Sequence, residues 1–313
     1  MRKSFGGWTA TALAATALAG LSILLATHSA HATVEPAKKA SPATQSPAPK
    51  KKPSSPSRKP DIKSNAVLVL DEGNQSVLLS KNADVAMPIA SITKLMTALV
   101  VLEAQQPLDE PIKITNDDRN IDRSGPSRLA VGTVLTRGEL LHLALMSSEN
   151  RAANALGRHY EGGLKAALAA MNAKAKALGM KRTHFTDTSG LSEGNIASPE
   201  DLAKLVIAAS KNATIRKFST DPEEVVMVGH FPLEYRNTNN LVRKEDWDIV
   251  VQKTGYTQAA GRCLVMKAVI NERPIVMVLM NSFGKLTRTA DAIRVRRWME
   301  SAVQTASLAQ AGK

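Results

Sequence analysis

The chain has 313 residues, 43% of them hydrophobic, which is enough for a substantial core in one large domain or two small ones and excludes a wholly disordered polymer. Its formal net charge of +13 suits an anionic partner, but aromatic residues make up only 4% and no stacking motif accompanies the charge, which argues against a nucleic-acid binder. A single cysteine, Cys263, excludes an intramolecular disulfide, so stability must come from burial.

Residues 1–32 combine a basic start (Arg2, Lys3), an apolar Ala/Leu run and a small-residue end, Ala30-His31-Ala32. That pattern predicts an export signal cleaved after Ala32. The run from Trp8 to Ala26 approaches spanning length, so an uncleaved anchor is the alternative, weakened by Thr9, Thr11 and the interspersed glycines. Residues 33–63 are rich in Pro, Lys, Ser and Ala and hold eight lysines and arginines against Glu35 and Asp61. With almost no large apolar side chain this stretch cannot offset its ordering entropy, and it reads as a disordered, extended linker. Its charge predicts at most peripheral contact with lipid head groups or carboxylate-bearing wall polymers.

From residue 64 the texture becomes that of a folded domain running to residue 313. "NAVLVLDEGNQSVLLSKN" predicts a β-hairpin about its Gly-Asn turn. "SITKLMTALVVLEA" has helical spacing and should end near Gln105-Gln106-Pro107. Further helices are expected over 137–159, 163–178 and 199–211, the last opened by Ser198, Pro199 and Glu200. Three β-rich runs follow, over 248–257, 260–271 and 273–282, with a tight connection at Asn271-Glu272-Arg273, and a helical segment over 285–306 closes the chain. Cys263 falls within the second of these strands, where a buried, inert thiol is expected. Strands at both ends around a helical middle imply an antiparallel sheet flanked by helices with an inserted helical lobe, an α/β (α+β) domain.

Three short motifs carry chemistry. Ser91 stands three residues before Lys94 at the mouth of the first helix, which puts both side chains on one face within hydrogen-bonding reach. A serine becomes a nucleophile only when something takes its proton, and a lysine can do so when burial or nearby positive charge depresses its ammonium. The start of the helix adds a positive dipole end beneath the reacting group. Ser148 and Asn150 flank Glu149 in "LMSSENRAAN", and Lys253-Thr254-Gly255 ends an apolar strand. Ser-x-x-Lys, Ser-x-Asn and Lys-Thr-Gly, in that order, form the three-motif set of serine β-lactamases and penicillin-binding proteins.

In that chemistry Ser91 attacks an amide carbonyl, Lys94 accepts its proton, Ser148 passes a proton towards the leaving amine, and Asn150 holds a substrate amide. Lys253 is expected to supply positive charge on the opposite wall, Thr254 a hydroxyl for an anionic substrate end, and Gly255 a bare strand edge. The backbone N–H groups of Ser91 and Tyr256 are the candidate oxyanion donors.

From about residue 60 to about residue 300 the chain resembles the low-molecular-mass penicillin-binding proteins of the D-alanyl-D-alanine carboxypeptidase/endopeptidase type, and within them the soluble DD-endopeptidases. "MPIASITKLMT", "LALMSSENRAA", "MNAKAKALGM", "RNTNNLV" and "KTGYTQAAGRCLVM" carry the resemblance. It implies a β-lactamase/transpeptidase-like fold, an enzyme cleaving D-alanyl cross-links between peptidoglycan stem peptides, β-lactam antibiotics as acylating inhibitors, and neither metal nor cofactor; the export signal puts such an enzyme in the periplasm. Family members often carry Arg where Met87 stands.

Alternatives remain. A class A β-lactamase needs a glutamate-activated water, and no Glu-x-x-Leu-Asn follows Asn150; Glu193 stands in an unsuitable setting. A carboxypeptidase trimming a terminal D-alanine is closer, though the short tail after Trp298 leaves no room for the extra β-rich domain and anchor usual in membrane-attached members. A non-catalytic wall-binding protein would use the basic arm alone. A zinc peptidase lacks the ligand spacing, since His142, His159, His184 and His230 form no His-x-His or His-Glu-x-x-His.

Overall fold

The computed structural model describes residues 59–119 and 127–311, with side chains described as far as residue 302. The expected export signal and all but the last five residues of the expected linker lie outside them. The described residues belong to one compact unit.

In chain order, β1 (Ala66–Asp71) and β2 (Ser76–Lys81) form the expected hairpin, and β3 (Met87–Pro88) leads through a 3-10 turn over Ala90–Ile92 into α1 (Thr93–Glu103). β4 (Pro111–Lys113) pairs with β5 (Val134–Thr136), followed by α2 (Arg137–Met146), α3 (Asn150–Arg158) and α4 (Gly163–Ala177). β6 (Ile196–Ala197) returns to pair with β3. Then come α5 (Pro199–Ser210), α6 (Ala213–Thr220) and the hairpin of β7 (Glu223–Val228) and β8 (Phe231–Arg236). β9 (Asp248–Thr257), β10 (Gly261–Ile270), β11 (Arg273–Ser282) and α7 (Thr287–Ala311) complete the chain.

The central sheet is antiparallel with order β2-β1-β11-β10-β9, so the first and last strands of the sequence meet in its middle and β9 forms one edge. β11 explains why the sheet is covered twice. Its side chains alternate between faces: Val276, Val278 and Met280 join a cluster that includes residues of α1 and α5, while Ile275, Met277 and Leu279 pack with Ala292, Val295 and Met299 of α7. All six are fully buried, each worth about 1.5–3 kcal/mol of transfer free energy. A run buried on both faces reads as continuous apolar sequence rather than as alternation.

Two departures from the sequence reading matter. The helix expected over 137–159 is two helices, because Ser148 takes a left-handed φ of +64° that no α-helix can continue. Glu149 then caps a new helix, accepting from the Arg151 N–H at 3.1 Å while its own N–H donates to the Leu143 carbonyl at 3.1 Å. α6 and the β7–β8 hairpin have no counterpart among the expected elements. The other expected helices and strands are present within a few residues of the predicted bounds, and Ser198 caps α5 by accepting from the Asp201 N–H.

The last residues of the expected linker are held against the domain. Ile62 packs on the α7 side of the sheet, and the buried Asp291 of α7 accepts from the N–H of Lys63, the N–H of Ser64 at 2.7 Å and the Ser64 hydroxyl at 2.7 Å. Among the described residues no helix is long and apolar enough to cross a membrane. Asp291→Ala would orphan buried donors and is expected to cost about 3 kcal/mol, read as a lowered urea midpoint; an unchanged midpoint would show that this clasp contributes nothing.

Candidate active site

Ser91 sits in the middle of the 3-10 turn, two residues ahead of α1. The turn opens with Ala90 at φ +49° and is clamped from both sides. On one side Gly255 of β9 lies so close that a Cβ there would stand 3.0 Å from the Ile89 carbonyl and 3.1 Å from the Ser91 nitrogen. On the other, a Cβ on Gly190, itself at φ +86°, would fall 2.0 Å from the Ala90 carbonyl oxygen. Gly255 is therefore needed for close approach to the serine turn, whereas sequence alone assigns its bareness to an incoming ligand.

The Lys94 side chain is wholly buried, and its ammonium has three acceptors: Ser91 Oγ at 2.8 Å, Asn150 Oδ1 at 2.7 Å and the Ser189 carbonyl at 2.6 Å. All three are neutral. Burial lowers its pKa from 10.5 to about 7, against the raising influence of Asp187 and Glu149. An amine that is free of its proton in a substantial fraction of molecules near neutrality, within 2.8 Å of a serine hydroxyl, is the arrangement that turns a hydroxyl into a nucleophile.

Asp187 builds the loop that presents the Ser189 carbonyl. Its carboxylate accepts from the N–H groups of Ser189 (2.8 Å) and Ser192 (2.6 Å) and from Asn195 Nδ2 (3.1 Å). Asn195 in turn donates to Thr93 Oγ1, whose hydroxyl donates to the Ala90 carbonyl, closing a circuit around the serine turn. Nothing in the spacing of the three sequence motifs points to this loop.

A cleft of about 720 Å³ opens in front of Ser91, lined among others by Ser148, Asn150, Thr254, Gly255, Tyr256 and Arg288. All three motifs thus meet, with Ser148 held forward by its left-handed backbone and Asn150 at the start of α3. Lys253 departs from expectation. Its amine is fully buried beneath the wall and donates to the Thr254 carbonyl at 2.9 Å, and burial, Lys94 and Arg288 hold its pKa well below the ordinary lysine value. Positive charge on the wall itself comes from Arg288, which sequence reasoning missed and which donates to the Gly255 carbonyl at 2.8 Å. Thr254 shares a 2.6 Å hydrogen bond with the hydroxyl of Thr238, also unassigned from sequence, and the Thr238 N–H donates to the Met146 carbonyl, tying the helical lobe to β9. Glu193 reaches the cleft as an exposed side chain. Cys263, opposite Gly255 on β10, is buried, and burial pushes its thiol up to about 11, the inert state expected.

With this geometry in view, residues 51–284 match a family model described as D-alanyl-D-alanine carboxypeptidase. A D-alanyl-D-alanine endopeptidase of Pseudomonas aeruginosa is 46% identical over 248 residues, covering 79% of this chain and 80% of that protein. Its counterpart from Escherichia coli is 45% identical over 245 residues, 78% of this chain and 79% of that one. Among solved structures, the DD-transpeptidase of Streptomyces K15 superposes with a TM-score of 0.71 at 26% identity, over 77% of this chain and 98% of that one.

The clamp on the serine turn makes a sharp prediction. Gly190→Ala should cut the rate of Ser91 acylation by about a hundredfold, because a displacement of order 1 Å misaligns the nucleophile. Gly163→Ala is the control, since Gly163 also has a positive φ (+76°) but a Cβ there would meet nothing within 4 Å; it should cost about 1 kcal/mol of stability and leave acylation intact. Equal effects from the two variants would refute the clamp.

Proposed function

The chain belongs to the D-alanyl-D-alanine carboxypeptidase family, and from that premise we propose that it is a serine DD-endopeptidase, cleaving the D-alanyl peptide bond of peptidoglycan cross-links through an ester on Ser91. The observation that carries this reading is the buried Lys94 amine 2.8 Å from Ser91 Oγ, with a pKa of about 7.

Ser91 Oγ attacks the carbonyl carbon of the cross-linking D-alanine while its proton passes to the Lys94 nitrogen. The developing oxyanion is held by the N–H groups of Ser91 and Tyr256, each such donor being worth about 2.7–4 kcal/mol. Ser148 relays a proton to the leaving amine, the C–N bond breaks and the acyl-ester remains. Water then attacks the ester with Lys94 again as base, and the Ser91 hydroxyl is regenerated. Asn150 has its oxygen committed to Lys94, which leaves its NH₂ group to donate to a substrate carbonyl. Thr254, with the positive charge of Arg288 beside it and Lys253 donating to its carbonyl from beneath, receives the carboxylate on the leaving side.

The names of the 45–46% identical relatives favour cross-link cleavage, and the family's own description keeps trimming of a terminal D-alanine as the second reading. β-Lactams acylate Ser91 and deacylate slowly, since Glu193 lacks the burial and partners that would aim a hydrolytic water. Export through residues 1–32 and a basic linker over 33–63 would place the enzyme in the periplasm, in peripheral contact with membrane or wall.

Incubating the protein with cross-linked muropeptide dimers and with monomeric pentapeptide tests the function: products of dimer cleavage are expected, and an unaltered dimer would overturn the endopeptidase reading. A fluorescent penicillin should label the wild type but neither Ser91→Ala nor Lys94→Ala; an unlabelled wild type would point to a non-catalytic wall binder. Below pH 7 the Lys94 amine is protonated and cannot accept the serine proton, and above it is free, so the acylation rate should rise through a single limb centred near pH 7 and then level off. A rate that is flat between pH 6 and about 8 would remove Lys94 from the role of base.

A further inference from the structure

The cleft ends in a surface that the catalytic chemistry does not use. Arg262 of β10 stands opposite Tyr256 of β9 on one side and opposite Ser282 of β11 on the other, so these three residues form one row across the end of the sheet. Phe283 and Leu286 follow Ser282 in the connection to α7 and are 87% and 65% exposed, and Tyr256 is 56% exposed. The Arg262 guanidinium lies 4.4 Å over the Tyr256 ring.

The charges of this rim are unbalanced. Arg294 and Arg296, further along α7, each have a carboxylate within 2.8 Å. Arg262, Lys285 and Arg288 have none among the described residues, and burial, with repulsion from Arg262 added to it, lowers the pKa of Arg288. Like charges gathered without a counter-ion favour an anion, and exposed aromatic and aliphatic side chains beside them favour a ligand with apolar stretches. A peptide bearing carboxylates and an aliphatic diamino-acid chain has both properties.

We propose that Arg262, Lys285, Phe283, Leu286 and the Tyr256 ring form a subsite for the acceptor stem peptide, the half of a cross-link that departs when the D-alanyl bond is cut. The assignment rests on the endopeptidase reading above. Thr254 and Arg288 receive the carboxylate on the leaving side, and the row through Tyr256 and Arg262 continues the sheet directly beyond them. In a monomeric pentapeptide the leaving group is a single D-alanine that stops at Thr254 and Arg288. In a cross-linked dimer it is a whole stem peptide, which must lie on whatever surface comes next. This rim would make the enzyme prefer cross-links.

The test compares Arg262→Glu/Lys285→Glu and Phe283→Ser with the wild type on three substrates: a soluble cross-linked muropeptide dimer, a monomeric pentapeptide and a fluorescent penicillin. The charge-reversal variant should raise KM for the dimer about tenfold at low salt, and less at high salt, as two lost exposed ion pairs would. Phe283→Ser should raise it several-fold without salt dependence. Pentapeptide turnover and penicillin acylation should stay at wild-type rates in Phe283→Ser, which also shows that the fold is intact, and in the charge-reversal variant, where Arg262 neighbours Arg288, they should fall by much less than dimer turnover does. Unaltered dimer kinetics in both variants would overturn the subsite while leaving the endopeptidase reading in place. Equal losses on all three substrates would overturn it too, by showing that the rim supports the fold or the shared half of the substrate. A wild type that takes up penicillin but leaves the dimer uncut would remove the endopeptidase reading, and the subsite with it.

Discussion

The amine of Lys94, sealed away from water and surrounded by neutral oxygens, is the constraint on which the site depends. A buried ammonium with no carboxylate in contact is costly, and the protein relieves the cost by letting the proton go rather than by supplying an ion pair. The three oxygens come from three separate parts of the chain: the serine turn, the first residue of α3 and the loop built by Asp187. Each had to be brought within hydrogen-bonding distance of one nitrogen, and much of the local architecture follows from that requirement. The break between α2 and α3, the circuit through Asn195 and Thr93, and the contact of Gly190 with Ala90 all hold those acceptors in place.

Two of the non-glycine residues with left-handed backbone angles, Ala90 and Ser148, lie at or beside the cleft with Gly190 against the first of them, and each such residue costs about 1–2 kcal/mol. Such conformations persist only where the surroundings over-determine them. Here the surroundings are a sheet buried on both faces, with the β11 residues feeding two separate apolar clusters. The rigid wall of β9 and β10 thus lets the opposing lobe hold a strained serine turn against it, and pre-organisation of the nucleophile is drawn from the stability of the core.

Much of this is legible in the sequence, and the exceptions have physical reasons. Ser91, Lys94, Ser148, Asn150, Thr254 and Gly255 are found together because the motifs encode local geometry: a helix start, a capped turn and a strand edge. The central strands are readable because runs such as "IVMVLM" are buried on both sides. Arg288 and Thr238 escape because they reach the cleft from distant segments, one from the first turn of α7 and one from a loop, with no periodic signal pointing inward. Helical periodicity continues across Ser147–Glu149 and masks the break, since a left-handed serine leaves no compositional trace. For Lys253, sequence puts the residue on an apolar strand but does not reveal its depth, which depends on how β9 packs.

The buried thiol of Cys263 has a consequence for how robust the enzyme is. It lies on β10 directly opposite Gly255, with no exposed surface and a strong preference for the protonated form. The protein therefore offers no reactive thiol next to its reaction centre, and peroxide or alkylating agents have no sulfhydryl to attack there while the fold is intact. An enzyme built this way tolerates swings between oxidising and reducing surroundings, and its one sulfhydryl becomes a reporter of unfolding rather than of redox state.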